Sequence, residues 1–205
     1  MSNSSTPAPS IRASEADIEA LAPLSGRRTM GLSLPIKPVL RYSSGARHRA
    51  HRELFREFQA ENYANASRVL AEKEHAFTDF QRSVLSWLLS GITGKDSEIQ
   101  WRRVVEKLAQ TPLQCGVYYE NRAFFLIQEG RYDEAVEMCD EGLRGSPTTE
   151  GLWINLLVSL DRLHKRRAID VVLGNLPRVF VVDCPTLRLY LMNDPYFESV
   201  MCNGG

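Results

Sequence analysis

The sequence of 205 residues predicts an all-α chain of antiparallel helical hairpins in series. Three observations lead there. From about His48 onward, apolar residues recur at helical spacing, in stretches of roughly 12–17 residues. Glycines and prolines collect between these stretches: Gly91 and Gly94, Pro112, Gly130, Gly145 with Pro147, and Gly174 with Pro177. The strict alternation that marks half-buried strands is nearly absent.

Composition narrows the function classes. Lys and Arg together number 25, as do Asp and Glu, and the sequence pI is about 6.9. A protein held to nucleic acid by bulk charge carries a basic excess, and so does a polybasic membrane-surface protein; neither fits. No stretch approaches the ~18 apolar residues of a membrane span. The opening MSNSSTPAPS has no apolar core of a cleaved signal. Cys115, Cys139, Cys184 and Cys202 are separated by 24, 45 and 18 residues, so there is no C-x-x-C pair. The expectation is a cytoplasmic protein with reduced thiols, in which Cys139 serves as a small buried hydrophobe.

Residues 1–46 are rich in Ser, Thr, Pro and Gly. Ser14 and Asp17 fit a helix start ahead of Ile18 and Leu21, Pro23 and Gly26 would end it, and Pro35 and Pro38 favour extended chain. This is expected to be a disordered or weakly helical N-terminal arm. An arm that docks on the body or carries a sorting signal is the other reading.

The clearest helical unit is GVYYENRAFFLIQEGRYDEAVEMCDEGLRGSPTT, residues 116–149. It contains Tyr119-x2-Arg122-Ala123-x2-Leu126, then Ala135-x3-Cys139, then Pro147. It resembles a tetratricopeptide repeat, whose pattern is W-x2-L-G-x2-Y, A-x3-F and P. The stretch Gly130-Arg131-Tyr132-Asp133-Glu134-Ala135 is similar to the family's turn into its second helix, and Arg122 stands where the pattern has Leu. Ala123 and Ala135 are small so that the paired helices can approach. Gly130 can end the first helix in a left-handed conformation. Tyr132 can cover the turn, Gly142 admits the next unit, and Pro147 stops the second helix.

The same template fits three further segments. The first has His51-x2-Leu54-Phe55-x2-Phe58 and Ala66-x3-Leu70. The next has Val84-x2-Trp87-Leu88-x2-Gly91, Gln100-x3-Val104 and Pro112; sliding it by one brings in Leu85, Leu89 and Ile92 instead. The last has Trp153-x2-Leu156-Leu157-x2-Leu160 and Ala168-x3-Val172. First-helix anchors His51, Val84, Tyr119 and Trp153 lie 33, 35 and 34 residues apart, and second-helix anchors Ala66, Gln100, Ala135 and Ala168 lie 34, 35 and 33 apart. The family period is about 34. The units then span about 47–80, 81–115, 116–149 and 150–183. Residues 184–205 form a C-terminal cap, with a short helix from Pro185 to Met192 and another beginning at Asp194 and Pro195.

No residue pattern points to an enzyme, a cofactor or a metal. His48 and His51 share a helix face but have no third ligand near them. Gly91-Ile92-Thr93-Gly94-Lys95-Asp96 lacks the spacing and the hydroxyl of a phosphate loop and reads as an inter-helix turn. Asp133, Glu134, Glu137, Asp140 and Glu141 read as a solvated helix face. Two basic clusters remain: Arg47, His48, Arg49, Arg52 and Arg56, and Arg162, Lys165, Arg166 and Arg167. They read as a soluble surface or as contacts for an acidic partner segment.

The resemblance implies a superhelix whose first helices line a concave groove. Carried over, it places Arg49, Arg52 and Arg56 there from the first unit, and Leu85, Leu89 and Ile92 from the second. The third supplies Val117, Glu120, Asn121, Phe124 and Ile127, and the fourth Ile154, Asn155, Val158 and Asp161. Co-chaperone members of the family grip a carboxylate with Lys, Asn and Arg. The corresponding Arg52, Arg56, Ser86, Val117 and Asn121 do not form that set. The expected activity is non-enzymatic binding of another protein, through an apolar segment in the groove. Size and layout are similar to the small bacterial tetratricopeptide chaperones of type III secretion. The alternative is an adaptor or regulatory scaffold with a closed groove, binding through its charged surface or tail. An oligomer is compatible with either.

Overall fold

The computed structural model describes residues 45–176; the expected N-terminal arm up to residue 44 and the expected cap at 184–205 lie outside them. Among the described residues there are eight α-helices: α1 (Ala46–Gln59), α2 (Tyr63–Glu72), α3 (Asp79–Ile92), α4 (Glu98–Leu108), α5 (Pro112–Gln128), α6 (Tyr132–Gly145), α7 (Glu150–Arg162) and α8 (Arg166–Asn175). A 3₁₀ turn, Glu74–Ala76, joins α2 to α3. The chain is all-α, and consecutive helices pack as antiparallel hairpins.

The helix starts are written locally. Thr78 caps α3 and Thr111 caps α5, each in a reciprocal capping box with the glutamine three residues on. In α5 the Gln114 N–H donates to Thr111 Oγ1 at 3.3 Å and the Thr111 N–H to Gln114 Oε1 at 3.1 Å. Pro112 fills the first turn, where its missing N–H costs nothing. The third hairpin therefore begins at Pro112, four residues before Gly116, which lies inside α5.

The turns within hairpins repeat in atomic detail. Glu61, Gly94, Gly130 and His164 all have positive φ, at 56°, 66°, 75° and 55°. They are 33, 36 and 34 residues apart. After each, the next amide reaches back five residues: Asn62 to the Glu57 carbonyl at 2.9 Å, Lys95 to Ser90 at 2.8 Å, Arg131 to Leu126 at 2.8 Å, and Lys165 to Leu160 at 2.9 Å. The left-handed residue itself donates three residues back, at 2.9–3.3 Å. This is the Schellman motif, which satisfies carbonyls that the helix end would otherwise orphan. The recurrence covers all four hairpins, although two of the left-handed residues are not glycine.

The second hairpin differs in its connection. Three residues join α1 to α2, α5 to α6 and α7 to α8, whereas five, Thr93 to Ser97, join α3 to α4. The longer turn rotates the start of α4. Val105 is fully buried and Trp101 packs on the core, while Gln100 is exposed and Val104 only half-buried. The inward pair on α4 is thus Trp101 and Val105, one position beyond Gln100 and Val104.

Two apolar cores form, and α5 belongs to both. The first holds α1–α4 with Val117 and Phe125 of α5; the second holds Ala123, Leu126 and Ile127 of α5 with α6–α8. Glycines mark the close approaches. A Cβ at Gly91, in the last turn of α3, would lie 2.5 Å from the Phe125 ring, and one at Gly142 would lie 2.7 Å from Tyr119 and 2.8 Å from Leu152 of α7. Helix α7 is covered nearly all round, between α5, α6 and α8, as its almost continuous apolar sequence demands.

Candidate functional site

The residues that the sequence assigns to a groove separate by position. Arg49, Arg52 and Arg56 of α1 are exposed. Their spacing of three and four residues puts them along one helix face. Arg56 reaches Glu57 at 3.2 Å. Leu85 and Leu89 of α3 and Val117 of α5 are buried in the first core, and Ile127 of α5 with Ile154 and Val158 of α7 in the second. Ile92 and Phe124 flank the first core and are half-buried. Glu120, Asn121 and Asn155 are buried polar side chains between α5 and α7. The Asn155 amide donates to the Glu120 carbonyl at 3.0 Å, and Gly151 leaves the room that the Glu120 side chain occupies. Asp161 is exposed at the end of α7.

The structure does not bring these fifteen residues together as one surface. Nine of them, from Leu85 to Val158, are buried, Ile92 and Phe124 are half-buried, and the exposed four are the three arginines and Asp161.

The remaining sequence candidates have plain structural roles. His51 is fully buried: its Nε2–H donates to the Ala76 carbonyl at 2.9 Å, and its ring stacks on Phe77 at 4.7 Å. Among the described residues no three His, Cys, Asp or Glu side chains are placed to hold a metal ion. No described helix is long and apolar enough to cross a membrane. Cys139 is fully buried; burial pushes its thiol up, with smaller contributions from Glu120 and Asp140, so it stays protonated.

The acidic residues of α6 are exposed and largely engaged. Arg131 meets Glu129 at 2.7 Å and also pairs with Glu134. Arg144 meets Glu141 at 3.0 Å and Asp140 at 3.9 Å, and Lys165 meets Asp133 at 2.9 Å. The hydrogen bond from Arg131 holds the Glu134 carboxyl below its ordinary range. Arg47, Arg162, Lys165, Arg166 and Arg167 are exposed.

Helix α5 also carries Tyr118 and Arg122, to which sequence reasoning assigned no functional role. Arg122 is half-buried, and its guanidinium is pushed below the usual arginine range, first by burial and then by the charge of Arg102. Tyr118, one turn earlier, is pushed up by burial and by Glu106. The signal was present in the sequence: Arg122 breaks the repeat pattern at a position meant for Leu.

Comparison of the chain with family models, with curated proteins and with solved structures returns no match.

Proposed function

We propose that the chain is a non-enzymatic adaptor of tetratricopeptide-like design, which engages an acidic segment of a protein partner through its charged surface. The observation that carries this reading is the α1 face. Arg49, Arg52 and Arg56 stand exposed in a row, while the apolar residues of the expected groove are mostly committed to the two cores. What supports the family reading is the fourfold turn, with left-handed residues 33, 36 and 34 apart. Rim arginines of this kind steer association and set its salt dependence more than they set affinity.

The second reading is an apolar polypeptide held in a groove, as type III secretion chaperones hold their substrates. It draws on Ile92 and Phe124, the two groove residues left partly uncovered. One comparison separates the readings. The full chain, a charge-reversed Arg49→Glu/Arg52→Glu/Arg56→Glu chain and a Phe124→Glu chain are used to capture partners, with bound proteins quantified by mass spectrometry. The adaptor reading expects the arginine reversal to abolish salt-sensitive capture and Phe124→Glu to preserve it. Loss with Phe124→Glu alone overturns it in favour of the groove.

A further inference from the structure

The outer face of α4 joins an exposed apolar side chain to two bases. Trp101 and Val105 of this helix pack into the first core. On the opposite side Ile99, Arg103 and Lys107 follow at four-residue intervals, which stacks them one turn apart. Ile99 is half exposed, and Arg103 and Lys107 are exposed. With Asp96, Gln100 and the half-buried Val104 they line an open depression. The other exposed large apolar side chains among the described residues are placed differently: Leu113 has no base within one turn, and Val171 stands next to Asp170.

The chain itself supplies a segment of matching chemistry. Residues 1–44 lie outside the described structure and enter it at Gly45, the residue before α1. Their only acids are Glu15, Asp17 and Glu19, gathered in SEADIEALA, residues 14–22, which contains no base. The sequence predicts a helix start there at Ser14. In such a helix Glu15 and Glu19 are one turn apart, the spacing of Arg103 and Lys107, and Ile18, Leu21 and Ala22 form the adjoining apolar stripe. Beyond α8 the acids Asp183, Asp194 and Glu198 are scattered. The α1 arginines offer charge with no exposed large apolar side chain on their helix, and the α4 face of a second copy would set like charges against Arg103 and Lys107. Reach is no obstacle. The 22 residues from Pro23 to Ser44 can span about 75 Å. Helix α4 belongs to the hairpin next to α1 and α2, and neighbouring helices pack about 8–10 Å apart.

We propose that residues 14–22 of the same chain dock on the outer face of α4. The contact is an amphipathic helix laid against a helix face. Ile18 and Leu21 cover Ile99 and Val104, while Glu15 and Glu19 meet Arg103 and Lys107. Exposed ion pairs add little by themselves, so the apolar contact holds the segment and the charges set its register. The tether raises the local concentration of the segment, which lets a small contact be occupied. The surface is separate from the α1 arginines, and the proposal does not depend on the partner reading.

The test is zero-length carbodiimide coupling of the full chain, which joins a carboxylate to an amine in contact with it, followed by mass spectrometry of the linked peptides. Coupling is run on a dilute, equal mixture of ordinary and nitrogen-15-labelled protein. Lys107 is expected to couple to Glu15, Asp17 or Glu19 within one chain, about tenfold or more above Lys165, which is exposed before α8. Ile99→Asp and Ile18→Asp should each lower that yield about tenfold. The proposal is overturned by the absence of a Lys107 linkage, by one no stronger than that of Lys165, or by one that either substitution leaves unchanged. Linkage in isotope-mixed pairs assigns the face to the arm of a second copy and overturns it as well. Should Ile99→Asp disturb α4, seen by circular dichroism, Ile18→Asp decides, since it lies outside the described helices.

Discussion

Gly130→Ala and His164→Gly form a matched pair, because the two residues occupy the same place in successive hairpins. Each is left-handed, with φ of 75° and 55°, and each is followed by an amide bonded five residues back. An alanine Cβ at position 130 would meet no atom within 4 Å, so the substitution is free of steric conflict and reads backbone conformation alone. An L-residue held left-handed costs about 1–2 kcal/mol. Replacing Gly by Ala also narrows the unfolded ensemble, which offsets about 0.4–1 kcal/mol. The net expectation for Gly130→Ala is a loss of roughly 1 kcal/mol. His164 already bears the left-handed cost and its side chain is exposed, so His164→Gly should gain a similar amount. Urea unfolding followed by circular dichroism measures both, and the midpoints should move in opposite directions. Shifts of the same sign, or an unchanged Gly130→Ala protein, would refute the shared turn geometry.

Two further outcomes follow from packing and burial. Gly91→Ala drives a methyl group into the Phe125 ring and should cost about 1–3 kcal/mol by overpacking; adding Phe125→Leu should recover part of it, read as a coupling energy in a double-mutant cycle. The raised Cys139 thiol predicts a pH dependence. Below the ordinary thiol range both states hold the proton and its contribution is constant. Above about pH 9 the unfolded chain releases it while the native chain keeps it, so stability falls, by up to ~1.4 kcal/mol per pH unit from this group. Cys139→Ala should flatten that limb of a stability–pH curve, and an unchanged limb would contradict the assignment.

The sequence was most legible where one residue type has one physical use. Gly130 marks its turn because glycine tolerates positive φ, and Gly142 marks the contact with Leu152 because a side chain there has no room. Glu61 and His164 take the same conformation with no glycine to announce it, so those turns were visible only through the period. The register of α4 turned on two extra loop residues, which composition does not weigh. The groove assignments rested on which face a first helix turns outward. For α7 the sequence is apolar nearly all round, so position in a repeat does not distinguish an open face from one covered by neighbours. Arg122 was legible as a departure from the pattern, but its half-burial depends on how the helices pack around α5.

The claim that one hairpin is built four times can be measured at four amides. Asn62, Lys95, Arg131 and Lys165 each donate to the carbonyl five residues back, at 2.9, 2.8, 2.8 and 2.9 Å. Native-state hydrogen exchange by NMR should find all four protected, by about a hundredfold or more over an unstructured peptide. Free exchange at any of the four, with the flanking helices intact, would contradict the repeated turn and the serial hairpin stack that depends on it.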